Sequence, residues 1–97
     1  MPLRVDALFW NENNVAHLWQ SHRVTTDEVE EVVFGIPGEA ACYLARRTGE
    51  AYEIYGETGG GRLLKLVGHF RDDGSFRVFH AMNMTDVERR RYRKSRS

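Results

Sequence analysis

The sequence is poor in the residues that build disulfide-rich, disordered or membrane-spanning proteins. It has 97 residues, with one cysteine and two prolines. A lone thiol excludes an internal disulfide and a cysteine-type zinc site, so we expect Cys42 to be buried and inert. No apolar run approaches the ~18 residues that a membrane span requires, and the N-terminus has no basic segment followed by an apolar one. The sequence therefore predicts an untargeted cytoplasmic protein that does not bind a membrane.

The chain also lacks net charge, since it has 14 basic and 14 acidic residues. The two signs are nevertheless separated along it. Residues 1–60 contain ten acids and four bases (net −6), and residues 61–97 contain ten bases and four acids (net +6). A clustered basic surface is the electrostatic footprint of nucleic-acid binding, so the last third favours an anionic partner. The alternatives are that the two halves neutralise each other within the fold, or that they pair between two copies in a homodimer.

The apolar pattern predicts helices in the first third of the chain. After a short opening strand over residues 3–10, apolar residues recur at helical spacing, with Asn13 or Asn14 as the N-cap. The stripe comprises Val15, Leu18, Trp19 and His22. A second helix is predicted from the capping-box spacing of Thr25 and Glu28, and Gly35 is expected to end it.

From Ala40 onward the pattern alternates every two residues and predicts four strands. They are expected at 41–46, 51–58, 62–71 and 75–83. Because the connections are short and rich in glycine and aspartate, each strand should pair with an antiparallel neighbour. Thr85 and Glu88 then have capping-box spacing, which predicts a basic C-terminal helix anchored by Val87 and Tyr92. The predicted fold class is α+β: one domain over residues 1–97, with N-terminal helices on a twisted four-stranded antiparallel sheet, a C-terminal helix, and frayed residues 93–97.

The order and spacing of several segments together resemble the BrnT family. The segments are Trp10, residues 16–18, His22, residues 24–25, residues 28–32, the aromatic hairpin, residues 84–85 and residues 88–92. The resemblance implies a RelE-like fold and a ribonuclease toxin of a type II toxin–antitoxin system, which cleaves RNA without a metal or cofactor. It also implies a cognate antitoxin, encoded adjacently, that covers the active face. The sequence departs from the family at Met82, where BrnT-like sequences tend to have arginine.

Metal-free RNA cleavage requires a base for the 2′-hydroxyl, a cation for the developing phosphorane charge and an acid for the leaving oxygen. His80, Arg77 and Lys65, on the last two strands, are the candidate catalytic residues. We expect Phe76, Val78, His80 and Met82 to share one face of the last strand. A protonated His80 would then replace the arginine missing at Met82. The alternative is that His80 is a packing residue and that the other two are solvent-facing charges.

Phosphate binding is predicted on the C-terminal helix. Arg89, Arg90 and Arg93 are three and four residues apart, the spacing of one helix face, so they are the candidate RNA-binding residues. His17 and His22 are five residues apart, which does not match the spacing of a helical metal pair, and no metal site is predicted. Two further functions stay open: an inactive relative of the same fold that binds protein or RNA, and a self-associating α+β interaction domain.

Overall fold

The computed structural model describes residues 5–35, 41–45 and 51–96. Within these residues the elements are α1 Glu12–His22, α2 Thr26–Glu30, a π-helical turn Glu31–Gly35, β1 Ala41–Ala45, β2 Ala51–Glu57, β3 Leu63–Phe70, β4 Phe76–Asn83 and α3 Asp86–Arg96. The strands lie in the order β1-β2-β3-β4, and each is antiparallel to the next. The predicted mixed α+β class and the antiparallel sheet are confirmed. The side chain of Cys42 is not among those described, so its predicted burial stays a prediction. The predicted fraying of residues 93–97 also stays a prediction.

The segment before α1 does not form the predicted strand. The Phe9 N–H donates to the Phe76 carbonyl and the Phe76 N–H donates to the Ala7 carbonyl, each at 2.9 Å, which makes a single parallel bridge at Leu8. The bridge does not extend because the chain turns into α1 directly afterwards, at Asn11. The predicted opening strand is therefore wrong for residues 5–10, and residues 3 and 4 lie outside the described part.

Helix α1 begins earlier than its predicted caps. Asn11 is the N-cap, and its Oδ1 accepts from the Asn14 N–H at 2.9 Å, while the Asn14 Oδ1 accepts from the Asn11 N–H at 2.8 Å. The Asn14 amide also donates to the Phe9 carbonyl at 3.0 Å. Asn14 is thus the buried reciprocal partner of the cap, and the prediction of Asn13 or Asn14 as N-cap was wrong.

The buried side of α1 is also rotated from the predicted stripe. Leu18 is buried, but Val15 and Trp19 are 38% and 48% exposed. The reason is that Asn14 and Leu18, four residues apart, are the buried positions of α1, which turns the neighbouring positions outward.

Both predicted capping boxes are confirmed. The Thr25 hydroxyl accepts from the Glu28 N–H at 3.2 Å, and the Glu28 carboxylate accepts from the Thr25 N–H at 3.0 Å. Thr85 and Glu88 repeat this geometry at 3.2 and 2.9 Å at the start of α3. Such caps satisfy backbone N–H groups that lack partners within the helix. After α2 the chain passes into the π-helical turn, which ends at Gly35 as predicted.

The core lies between the N-terminal helices and one face of the sheet. Its buried members are Leu18, Val24, Val29, Val32, Ile54, Leu64, Leu66, Phe76, Val78 and Ala81. Helix α3 lies on the other face: Lys65 alternates with Leu64 and Leu66 along β3, and its Nζ contacts Glu88 of α3. The sheet therefore has helices on both faces.

A β-bulge in β4 changes which of its residues face the core. Val67 is opposite His80 and Gly68 is opposite Val78, so Phe79 is an extra residue in β4. Val78 is buried before the bulge and Ala81 after it, so the inward positions shift by one residue. The predicted single face for Phe76, Val78, His80 and Met82 is therefore wrong, and His80 is exposed.

Gly68 permits close packing beside the bulge. A Cβ atom at this position would lie 2.2 Å from the Arg77 carbonyl oxygen and 2.7 Å from the Phe76 ring. Any side chain would push β4 away from β3, so the geometry that presents His80 requires glycine here.

Arg62 connects four parts of the fold. Its guanidinium donates to the His22 and Arg23 carbonyls, at the end of α1, at 2.8 and 3.0 Å. It also donates to the Glu28 carboxylate at 3.1 Å and to the Asn83 side chain at 2.8 Å. The ion pairs Arg62–Glu28 and Lys65–Glu53 each join a base from residues 61–97 to an acid from residues 1–60. Part of the opposite charge of the two halves is therefore neutralised within the fold.

Candidate functional site

The three candidate catalytic residues lie along one hairpin but not in one cluster. Across β3 and β4, Lys65 is opposite Met82, Val67 is opposite His80 and His69 is opposite Arg77. At about 3.3 Å per residue, the two ends of this surface are about 13 Å apart. Arg77 and Lys65 are therefore at opposite ends, and His80 lies between them.

Lys65 is enclosed by carboxylates. Its Nζ lies 3.0 Å from the Glu53 Oε2 and 3.1 Å from the Glu88 Oε2, and its side chain is 11% exposed. Burial by itself would lower the pKa of Lys65, but hydrogen bonds and charge interactions with the two carboxylates outweigh it and raise that pKa. Lys65 is therefore a protonated, fully paired cation that ties α3 to the sheet. Its catalytic role stays a prediction.

Glu88 and Tyr55 complete this network, which we name the Lys65 network (Glu53, Tyr55, Lys65 and Glu88). The Glu88 Oε1 accepts from the Thr85 N–H, while its Oε2 accepts from the Tyr55 hydroxyl at 3.3 Å. Burial would raise the pKa of Glu88, but the bond from Thr85 and the charge of Lys65 lower it overall. Burial, followed by the charges of Glu53 and Glu88, raises the pKa of Tyr55. One carboxylate thus caps α3 and binds the sheet.

His80 has a different environment. It lies on the outside of β4, with its ring 5.5 Å from the His17 ring and 5.3 Å from the Phe79 ring, measured between centroids. Partial burial, and then the charges of His17 and His22, lower the pKa of His80. The lowered pKa disfavours the protonated His80 that the sequence led us to expect, and it favours the neutral imidazole. A neutral imidazole can accept a proton.

His17 is a residue whose position the sequence did not reveal. In the sequence, the separation of His17 from His22 was used only to judge whether the two could bind a metal ion together. Folding places His17 of α1 beside His80 of β4, two residues that are distant in the chain, and the bulge helps to present His80 there. No local pattern encodes such a contact. We name the two residues the histidine edge.

Arg77 lies toward the turn end of the hairpin. Its Nε is buried and has no hydrogen-bond partner among the described residues. A buried donor of this kind is costly unless an acceptor is supplied. Its predicted role in catalysis remains a prediction, and the geometry places it nearer to His69 than to the Lys65 network.

The candidate RNA-binding arginines share one surface of α3. Arg89, Arg90 and Arg93 line a shallow depression with Asp86, and Arg89 is paired with Asp86. Arg90 and Arg93 are exposed. Tyr92 is buried as predicted, but Val87 is 54% exposed, so its predicted anchoring role was wrong. Glu88, through Lys65, supplies the second anchor instead.

The described residues contain no group of three histidine, cysteine, aspartate or glutamate side chains arranged to hold a metal ion. Within the same part of the chain, no helix has the length and apolar character needed to cross a bilayer.

In comparisons with known proteins, the chain matches no protein-family model and no curated protein. The resemblance to the BrnT family therefore stays a prediction that rests on the residues quoted for it.

Proposed function

We propose that this protein is a metal-free ribonuclease, of the BrnT-like toxin kind with a RelE-like fold, which cleaves RNA at the histidine edge. The observation that carries the proposal is the exposed His80, with a lowered pKa, packed against a second histidine. A general base is most effective when its unprotonated form predominates near the working pH. His80 meets this requirement without a metal ion.

In this reaction His80 removes the proton from a ribose 2′-hydroxyl. The 2′-oxygen forms a bond to phosphorus, and the bond from phosphorus to the 5′-oxygen breaks. The 5′-oxygen takes up a proton as it leaves, so the products are a 2′,3′-cyclic phosphate and a 5′-hydroxyl. Arg90 and Arg93, together with Arg89, would bind flanking phosphates, and binding should weaken with salt because each contact releases counterions. A cognate antitoxin would inhibit the enzyme by covering this surface.

The test is cleavage of end-labelled RNA in buffer containing EDTA. We expect the wild-type protein to produce cyclic-phosphate ends. His80→Gln should be slower by about 10²–10⁴-fold, the usual loss for a positioned acid–base group. The matched control is His69→Gln, which alters a histidine on the neighbouring strand and should retain most of the rate. Absence of cleavage by folded wild-type protein, or equal losses in both variants, would contradict the proposal.

A second candidate function is binding without cleavage. The pairing of Lys65 with two carboxylates and the methionine at position 82 favour it, because both reduce the positive charge available to a phosphorane. In that case the wild-type protein would bind RNA or a protein partner in a salt-dependent manner, and labelled RNA would stay intact. Sedimentation would separate this function from the self-associating domain, which predicts a dimer.

A further inference from the structure

We infer that His17 is the general acid that protonates the leaving 5′-oxygen, acting as the partner of His80. This inference rests on the proposed function and adds a second catalytic residue to it. His17 is exposed on α1, and its ring is tilted by 59° to the His80 ring at 5.5 Å between centroids. The two residues lie on different elements, α1 and β4, and both are exposed, so one ligand on the surface can contact both rings.

The geometry suits a phosphate that contacts both imidazoles at their exposed edges. In an in-line displacement, the attacking and leaving oxygens lie on opposite sides of phosphorus, so the base and the acid must approach from two directions. Two rings 5.5 Å apart between centroids leave no room for a phosphate between them, but a phosphate that lies across their exposed edges can form a hydrogen bond of about 2.6–3.2 Å with each imidazole. Neither imidazole forms a hydrogen bond or ion pair with another described residue, so both are available to exchange protons with a substrate.

The proton balance of the step is complete. Neutral His80 takes the 2′-hydroxyl proton as the bond from the 2′-oxygen to phosphorus forms. Protonated His17 gives its proton to the 5′-oxygen as the bond from phosphorus to that oxygen breaks. The two histidines end with exchanged protonation states, and exchange with water restores them. No metal ion, oxidant or further reactant is needed.

The proposal is tested with two short RNA substrates that differ in one atom. One has the natural 5′-oxygen at the scissile linkage, and the other has sulfur in its place. A thiol has a pKa of about 8.5, far below that of an alcohol, so a thiolate leaves without a proton from an acid. We expect His17→Gln to cleave the oxygen substrate about 10²–10⁴-fold more slowly than the wild type. On the sulfur substrate it should be close to the wild-type rate.

The comparison with His80→Gln makes the test specific. Loss of the base should slow cleavage of both substrates, because the 2′-hydroxyl is unchanged. Gln20→Ala, on the exposed side of α1, is the control for changes to the helix itself and should cleave both substrates like the wild type. Glutamine is well tolerated in helices, so His17→Gln should remain folded, which circular dichroism can verify.

Two results would overturn the assignment of His17. One is full activity of His17→Gln on the oxygen substrate, and the other is an equal loss on both substrates. A wild-type protein that cleaves neither substrate would instead refute the proposed function, so the two failures are distinguishable.

Discussion

The Lys65 network and the histidine edge differ in how their charged and titratable groups are paired. In the Lys65 network, the ammonium is held between two carboxylates and is largely shielded from solvent. At the histidine edge, two imidazoles lie close together without a paired carboxylate among the described residues. A paired cation stabilises the fold, whereas an unpaired titratable group remains free for chemistry.

The energetic reason for this difference lies in desolvation. A substrate phosphate that approached Lys65 would be repelled by the Glu53 and Glu88 carboxylates, and displacing either carboxylate would leave it partly buried without its partner. The histidines have no such partner to lose. We therefore propose that the Lys65 network is structural and that the histidine edge is catalytic.

The largest effect on stability should come from Lys65→Met. The change leaves Glu53 and Glu88 facing each other without a cation, and breaking a buried pair typically costs 3–5 kcal/mol. Because these carboxylates retain 21% and 11% exposure, we expect a loss of about 2–3 kcal/mol in the free energy of unfolding, discounted for solvent screening. Urea denaturation followed by circular dichroism measures it.

Two controls sharpen this prediction. Adding Glu53→Gln to Lys65→Met should recover part of the loss, because one of the opposed charges is removed. His80→Ala should cost less than about 1 kcal/mol, as is usual for an exposed site. A Lys65→Met protein as stable as His80→Ala would remove the distinction between the two regions.

A smaller change in the free energy of unfolding is expected when the pH is lowered, in two separate pH ranges. The pKa of His80 is lowered below 6.5, so the unfolded chain takes up that proton first, and stability should begin to fall as the pH drops below 6.5. The pKa of Glu88 is lowered below 4.5, so its contribution is complete above pH 4.5 and is lost at lower pH. Denaturation at several pH values should show that His80→Gln removes the first loss and Glu88→Gln reduces the second. Identical profiles in all three proteins would contradict this.

Local signals predicted much of the fold. The reciprocal spacing of Thr25 with Glu28, and of Thr85 with Glu88, located two helix starts because a capping box is a contact within four residues. The turn at Gly74 was likewise predictable from the sequence, because the backbone there has a positive φ of 88°, which favours glycine. Strand positions agreed with the alternation of side chains to within one residue at each described boundary.

The candidate site was harder to predict because its contacts join distant segments. The bulge at Phe79 depends on how β4 packs against Gly68, and one added residue moves His80 off the face that it was predicted to share with Phe76 and Val78. Lys65 appeared as a free cation because Glu53 and Glu88 approach it from another strand and from a helix. Pairings of this kind are fixed by tertiary packing and leave no local pattern.

The most direct test of the assignment compares RNA cleavage per folded molecule in Lys65→Met and His80→Gln. Rates are measured in EDTA and divided by the folded fraction from circular dichroism. We predict that Lys65→Met stays within about tenfold of the wild type, whereas His80→Gln loses about 10²–10⁴-fold. The opposite order, with Lys65→Met inactive although folded and His80→Gln active, would place the chemistry in the Lys65 network and contradict the account.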